Sequence, residues 1–528
     1  MRPIHLAAAA AALLVTAGAA EAQQITKLVP GSHFHGVHGI RFAPNGELYA
    51  GSVAGQTLYA VNVETGAVRT VEGPPHGMSD DIAFGPGHQV VWTAISEGVV
   101  YTRRGKGPVE VLAKDMPGAN SVAFSRDGKR LFLGQVFAGD GVWELDPAGK
   151  KPPRKITGPV GGFNSFSPGA DGGLYGPLWF KGQIARIDPD SGEVKVVAEG
   201  FRTPAAAKFD SKGNLWVIDT KIGVLYRVDV KSGAKAKVAQ LSTSLDNIAV
   251  SPDDRVFVSN MADNGIQEVN PATGAVRQVV KGALAFPADI DVSTAGGKDT
   301  LFVADVFAYR AVDGASGAVT DIARTHGDPI EYPTGVSVAG DRVILTSSVA
   351  GTIEVYSRAD GKRLAHAGGF EAPSDAIELP GGAILVVEPD GDVIEAKGEA
   401  KKTVATGLKA PTSITRAADG TLYVVEAGAA RLSRLDLARG AATPVADGFK
   451  RPKAVAVGPN GRPVVLDLGD RAVIEVDPKS GAKAVVAKDL PLGLLGGPVP
   501  LGAGVAVGGN GDIYVASDVE NAIYRIRR

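Results

Sequence analysis

Cysteine is missing altogether from this 528-residue sequence. That excludes disulfide staples, thiolate metal sites and cysteine nucleophiles. Long apolar runs are missing too. Beyond the first two dozen residues nothing approaches the roughly 20 uninterrupted apolar residues of a spanning helix, so no membrane span is expected. Neither sign of charge dominates, because 55 Lys and Arg stand against 57 Asp and Glu, a formal charge of −2. An interspersed, nearly neutral surface lacks the footprint of a nucleic-acid binder or a polybasic membrane patch. Aromatic residues are scarce at 6%, whereas glycine reaches 69 residues. That balance suits a fold of many tight turns, and the 44% hydrophobic content is ample for two cores of conventional size.

What is present in abundance is one unit, best seen in FRTPAAAKFDSKGNLWVIDTKIGVLYRVDVKSGAKAKVAQ, Phe201 to Gln240. Period-2 alternation through Ala207 and Phe209, Leu215 and Val217, Val224 to Val228, and Lys237-Val238 marks four short strands. Ser211-Lys212-Gly213 and Lys231-Ser232-Gly233 place glycine where a hairpin needs a positive φ. The first turn recurs as Pro44-Asn45-Gly46, Arg126-Asp127-Gly128, Ala418-Asp419-Gly420 and Pro459-Asn460-Gly461, and the second as Glu64-Thr65-Gly66, Asp190-Ser191-Gly192 and Ala272-Thr273-Gly274. A period of about 40 residues is that of a β-propeller blade. Twelve repeats exceed the four to eight blades of a usual ring. The expected fold is therefore all-β, with two tandem six-bladed β-propellers of four-stranded antiparallel blades, residues 33–284 and 285–528.

The ends of the chain carry two further expectations. Met1-Arg2, the apolar run Leu6 to Val15 and Ala20-Glu21-Ala22 form a secretory signal over residues 1–22, so a periplasmic or secreted protein is expected. Residues 23–32 resemble a fourth blade strand, compare QITKLV with KAVVAK at Lys483 to Lys488, while the last repeat stops after Ala522 to Ile526. Either the N-terminal strand closes the last blade of the second propeller or it flanks the first.

In a propeller the starts of the inner strands converge on one channel mouth, where function is to be sought. In the first ring that column reads His38, Asp80-Asp81, Asn120, Asn164, Ala205-Ala206 and Asp246-Asn247. In the second it reads Ala288-Asp289, Thr334, Ser374-Asp375, Thr412, Lys453 and Ala503-Gly504, with Lys453, Asp375 and Asp289 placed to form a channel ion pair. Asp80, Asn120, Asn164 and Asp246 offer oxygen ligands only, which suits hard cations such as Ca²⁺ or Mg²⁺. The alternative is that such residues cap turns and bond neighbouring blades. His33, His35, His38 and His76 form a second cluster, able to bind Zn²⁺ if it converges, with His38 a general base of ordinary pKa near neutrality. Glu388, Glu426, Asp467 and Asp518 end second strands and read as structural. The long connections Arg324 to Tyr332 and Leu490 to Leu501 could overhang a mouth.

Three stretches, Pro204 to Val217, DNIAVSPDD at Asp246 to Asp254 and NSVAFSRDGK at Asn120 to Lys129, resemble the six-bladed family of gluconolactonases and regucalcin (senescence marker protein). They are similar also to NHL-repeat and streptogramin-lyase propellers. The resemblance implies a divalent metal held at the channel by Glu, Asn and Asp, with an Asp or a metal-bound water hydrolysing a lactone. Asn120, Asn164 and Asp246 fit that pattern. His38 stands where the family has Glu, and Pro204-Ala205-Ala206 lacks the family's carboxylate; Asp80 or Asp81 could substitute. The expected function is an exported metal-dependent hydrolase of small lactones or esters, with Asp246 or His38 accepting the proton. A non-catalytic binding module, with a small-molecule ligand or a protein partner at a propeller mouth, and a lyase using His38 as base, remain open.

Overall fold

The computed structural model describes residues 24–494 and 502–528. The expected signal at 1–22 and part of the connection Leu490 to Leu501 lie outside these. Every strand named among the described residues belongs to one of twelve four-stranded antiparallel sheets. The other regular elements are two single 3-10 turns, Trp179–Lys181 and Ala427–Ala429. The protein is all-β and forms two six-bladed propellers.

Ring membership follows from which inner strands touch. Val37–Phe42, Ile82–Gly85, Ala119–Phe124, Ser167–Pro168, Pro204–Phe209 and Leu245–Val250 neighbour one another in that order, and the last returns to the first. Asp289–Ala295, Gly335–Ala339, Asp375–Glu378, Pro411–Arg416, Pro452–Val457 and Val505–Val507 close a second cycle in the same way. Apart from one cluster between the rings, which joins Met261 and Ala262 to Phe286 and Phe307, each apolar cluster is shared by two neighbouring blades, as where Trp216 and Ile218 pack on Ile248, Val256 and Val258. A single blade cannot bury its own faces, and so the ring is the smallest stable unit.

Turn chemistry repeats with the blades. At the outer hairpin Asp229 Oδ1 accepts from the Lys231 and Ser232 amides, and Gly233 follows at φ +73°. A Cβ there would also lie 2.6 Å from the Val197 carbonyl oxygen of the preceding blade, so both conformation and close approach require glycine.

Blade twelve takes its outer strand from the N-terminus. Ile25–Val29 pairs antiparallel with Ala522–Ile526, in the register Ile25 with Ile526, Lys27 with Tyr524 and Val29 with Ile523. Val29 is fully buried in a cluster with Leu284, Ile290 and Tyr514. The first ring is thus threaded into the second, whose closure depends on both ends of the chain.

The acids that end second strands hold the segment leading into their own inner strand. Asp467 accepts from the Lys450 and Arg451 amides at 2.7 and 2.9 Å, Asp518 from Gly493 and Leu494, Glu426 from Lys409 and Glu388 from Glu371. They therefore fasten each blade to the connection arriving from its predecessor. Asp467 is fully buried and also accepts from Gly469 and Asp470. Asp467→Ala should cost roughly 2–4 kcal/mol, since buried amides lose their acceptor; chemical denaturation is the check, and a loss below about 0.5 kcal/mol would refute this role.

The two rings are docked through specific contacts. Arg310 Nε lies 2.5 Å from Asp305 and the same guanidinium bonds the Ala262 carbonyl of the first ring. Arg324 pairs with Asp263 at 2.9 Å and reaches Asn260. His35 Nε2 donates to the Asp518 carbonyl at 2.8 Å. Phe307 fills the space beside Gly36, where a Cβ would come within 2.0 Å of its ring.

Candidate functional site

A cavity of about 660 Å³ opens at the first ring's channel mouth. Its floor is made by the starts of inner strands: His38, Asp80, Asn120, Asn164 and Asp246 all line it. Convergence is a consequence of the ring, because equivalent positions in successive blades are brought to one mouth however far apart they lie in sequence.

The floor is acidic, with Lys208 the cation that acts on its carboxylates. Asn120 donates from its amide to Asp80, while Asp246 makes no hydrogen bond to any described residue. Burial, then repulsion from Asp246 and Asp81, pushes Asp80 well above the usual carboxylate range. Burial and the nearby Asp81 raise Asp246 to about 8. Asn164 Oδ1 accepts from the Ser165 amide at 2.8 Å. One buried and one half-buried carboxylate, Asp80 and Asp246, with two amides at one place form a hard-oxygen donor set whose charge a dication would balance. In that chemical sense Asp80, Asn120, Asn164 and Asp246 fit a divalent cation. No three His, Asp or Glu side chains gather as a metal centre among the described residues, so the amide oxygens would be indispensable.

Asp81 does not share this role. It accepts from the Ile82 and Val122 amides and lies 3.7 Å from Lys208 Nζ, which ties it to the blade-to-blade network. Lys208, buried to 3% exposure, was not anticipated as a channel base. Strand alternation from Ala206 would have found it, since residues two apart face the same side. Burial lowers its pKa to about 8.

The histidine cluster does not assemble. His33 and His76 are exposed, His35 is turned to the Asp518 carbonyl, and only His38 lines the cavity. The proposed four-histidine zinc site is therefore corrected, for these rings leave in different directions from blades one and two. The expectation of an ordinary pKa for His38 also fails. Burial lowers it to about 4, and donation from Nδ1 to the Gly36 carbonyl at 2.9 Å leaves Nε2 a neutral acceptor.

In the second ring Asp289, Asp375 and Lys453 share the channel as expected from their column. Asp289 accepts from Val336 and Asp375 from Ile414, so both bridge neighbouring blades. Burial lowers the Lys453 pKa, opposed by attraction to Asp289 and Asp375.

The cavity also has a roof, built from residues outside the aligned columns. The second ring places Phe307, His326, Tyr332, Val349 and Ala350 over the first ring's cavity. His326 Nε2 and the Tyr332 hydroxyl are 3.0 Å apart. Both belong to the connection Arg324 to Tyr332, whose length was the available signal.

Comparison with known proteins places this geometry in context. A 28% identical stretch of 111 residues, 20% of this chain and 37% of the relative, is shared with an L-arabinolactonase of Azospirillum brasilense. The match thus spans little more than a third of that relative's length. Among solved structures, a gluconolactonase of Xanthomonas campestris is 15% identical with a TM-score of 0.37, covering 45% of this chain and 87% of its own. A virginiamycin B lyase of Staphylococcus aureus is 13% identical with a TM-score of 0.31, covering 62% and 94%. The family model described as SMP-30/Gluconolactonase/LRE-like region matches residues 45–306, and it is to that family that this stretch of the chain is similar.

Proposed function

We propose that the protein is an exported, metal-dependent hydrolase of the lactonase or esterase type, acting on a small molecule in the first ring's cavity. The observation that carries this reading is the convergence of Asp80, Asn120, Asn164, Asp246 and His38 on one cavity at the channel mouth. The family match over residues 45–306 supports the reaction type, and the leader pattern at 1–22 supports export to the periplasm.

Asp80, Asn120, Asn164 and Asp246 would hold Ca²⁺ or Mg²⁺. Such a cation would supply Lewis-acid polarisation of the ester carbonyl. Asp246, whose carboxyl makes no hydrogen bond to the described protein and is raised to about 8, is in its ionised form the group able to take a proton from water as the water oxygen bonds to the carbonyl carbon. The acyl C–O bond then breaks, the proton passes to the leaving oxygen, and the product is the hydroxy acid. His38, neutral through the ordinary pH range, accepts a hydrogen bond at Nε2 and orients water or a substrate hydroxyl; its low pKa makes it the weaker base of the two.

The test is a panel of lactones and aryl esters followed by pH titration with full-length protein. Hydrolysis that requires an added divalent cation supports the reading. If no ester or lactone is turned over with any cation, a binding-module role takes its place.

A further inference from the structure

The floor of the cavity accounts for the acyl chemistry, but the rest of the cavity has a character that this chemistry does not require. Above the polar floor the walls are apolar, with Val53, Ala54, Met78, Val136 and Met261 among them. No lysine or arginine lines the cavity among the described residues. A continuous run of aromatic edge contacts leads from the rim to the floor. Phe180 meets Phe137 at 5.9 Å between ring centroids, Phe137 meets Trp179 at 5.5 Å, and Trp179 meets His326 at 5.2 Å. His326 meets Tyr332 at 5.7 Å, Tyr332 meets Phe307 at 6.1 Å, and Phe307 meets His38 at 5.4 Å. The run crosses from the first ring to the second and back.

The rim leaves large apolar side chains in water. Phe137 is 54% exposed, Phe180 61% and Val349 52%, in a chain whose aromatics are few. Phe137 moreover holds a φ of +65°, a conformation costly for a bulky residue. Exposed apolar groups gathered at one mouth mark a surface that something apolar covers. The roof is held in place by the docking contacts, Phe307 in the slot beside Gly36 and the Thr325 carbonyl accepting from Ser244 Oγ at 2.5 Å.

We propose that the substrate is an uncharged lactone or ester with an aromatic or aliphatic body, selected by the roof that the second ring lays over the first ring's site. This rests on the hydrolase reading above. Such a molecule sets its carbonyl at the acidic floor and its body against Trp179 and Phe307. A polyhydroxylated sugar lactone would bring several hydroxyls past the floor to walls whose polar groups are chiefly Gln56, Ser96 and the His326–Tyr332 pair, already bonded to each other, and each hydroxyl left without a partner is penalised. A carboxylated or phosphorylated substrate would meet two carboxylates and, among the lining residues, no lysine or arginine.

The experiment compares dihydrocoumarin with glucono-δ-lactone on the full chain supplied with Ca²⁺ or Mg²⁺, in the wild type and in Phe307→Ala and Phe137→Ala. The expected kcat/KM for dihydrocoumarin exceeds that for glucono-δ-lactone by at least about 100-fold, from two or more unpaired hydroxyls. Phe307→Ala should raise KM for dihydrocoumarin about tenfold with little change in kcat, through lost apolar contact. Phe137 is exposed enough that Phe137→Ala will fold, and its KM should rise roughly threefold by the same cause. Equal or better turnover of glucono-δ-lactone would overturn the substrate class while the hydrolase reading stands. A wild type that prefers dihydrocoumarin with neither variant shifting KM would overturn the role of the roof. No turnover of either lactone would overturn the hydrolase reading itself, and this proposal with it.

Discussion

Asp246→Ala is expected to lower kcat for lactone hydrolysis by roughly 10³-fold, the scale of a lost general base, without lowering thermal stability. Asp246 makes no hydrogen bond to the described protein, so its removal strands no donor, unlike the loss of Asp467. The folded pKa of Asp246 is pushed up to about 8 from the ordinary 3.8, chiefly by burial. A raised folded pKa means that the native state binds the proton more tightly than the unfolded one. The stability this contributes is full below about pH 4 and is lost as the pH rises through 8. Asp246→Asn should therefore flatten the fall in melting temperature between pH 4 and 8 while also removing activity. Activity within tenfold of wild type in Asp246→Ala would remove the residue from the reaction.

Deletion of residues 24–29 should have the largest effect on stability. It removes the strand paired with Ala522–Ile526 and takes fully buried Val29 out of its cluster. Ladder bonds at about 1 kcal/mol each and the burial of Val29 at about 2 place the loss on the order of 5 kcal/mol, comparable with the whole stability of many domains. The last blade would be left with an open edge, so aggregation should accompany the loss. A melting temperature unchanged by the deletion would show that the second ring closes without this strand.

Most of the architecture is legible in the sequence because each hairpin carries its own signal. Gly213 and Gly233 announce turns, the alternation between them announces strands, and the missing fourth strand after Ile526 matches the surplus at Ile25–Val29. The floor of the site is legible for the same reason, since His38, Asp80, Asn120, Asn164 and Asp246 occupy one position of a repeat. What aligned columns cannot show is a contact between different columns. Phe307, His326 and Tyr332 belong to no repeated position of the first ring and reach its cavity only because the rings dock. Histidine count misled for a related reason: His33, His35, His38 and His76 are close in sequence, yet only His38 lies where the column points. The effect of burial on His38, which takes it from a neutral-pH base to a neutral acceptor, likewise depends on Phe307 arriving from elsewhere in the chain.

The most direct measurement is the initial rate of dihydrocoumarin hydrolysis by full-length protein stripped with a chelator and then titrated with Ca²⁺ or Mg²⁺, in the wild type, Asp246→Ala and Asp375→Ala. The account predicts a stripped enzyme without activity, a rate that rises and saturates with cation in the wild type and in Asp375→Ala, and none at any cation concentration in Asp246→Ala. A rate untouched by stripping, or one lost in Asp375→Ala and kept in Asp246→Ala, would contradict a cation-dependent site in the first ring.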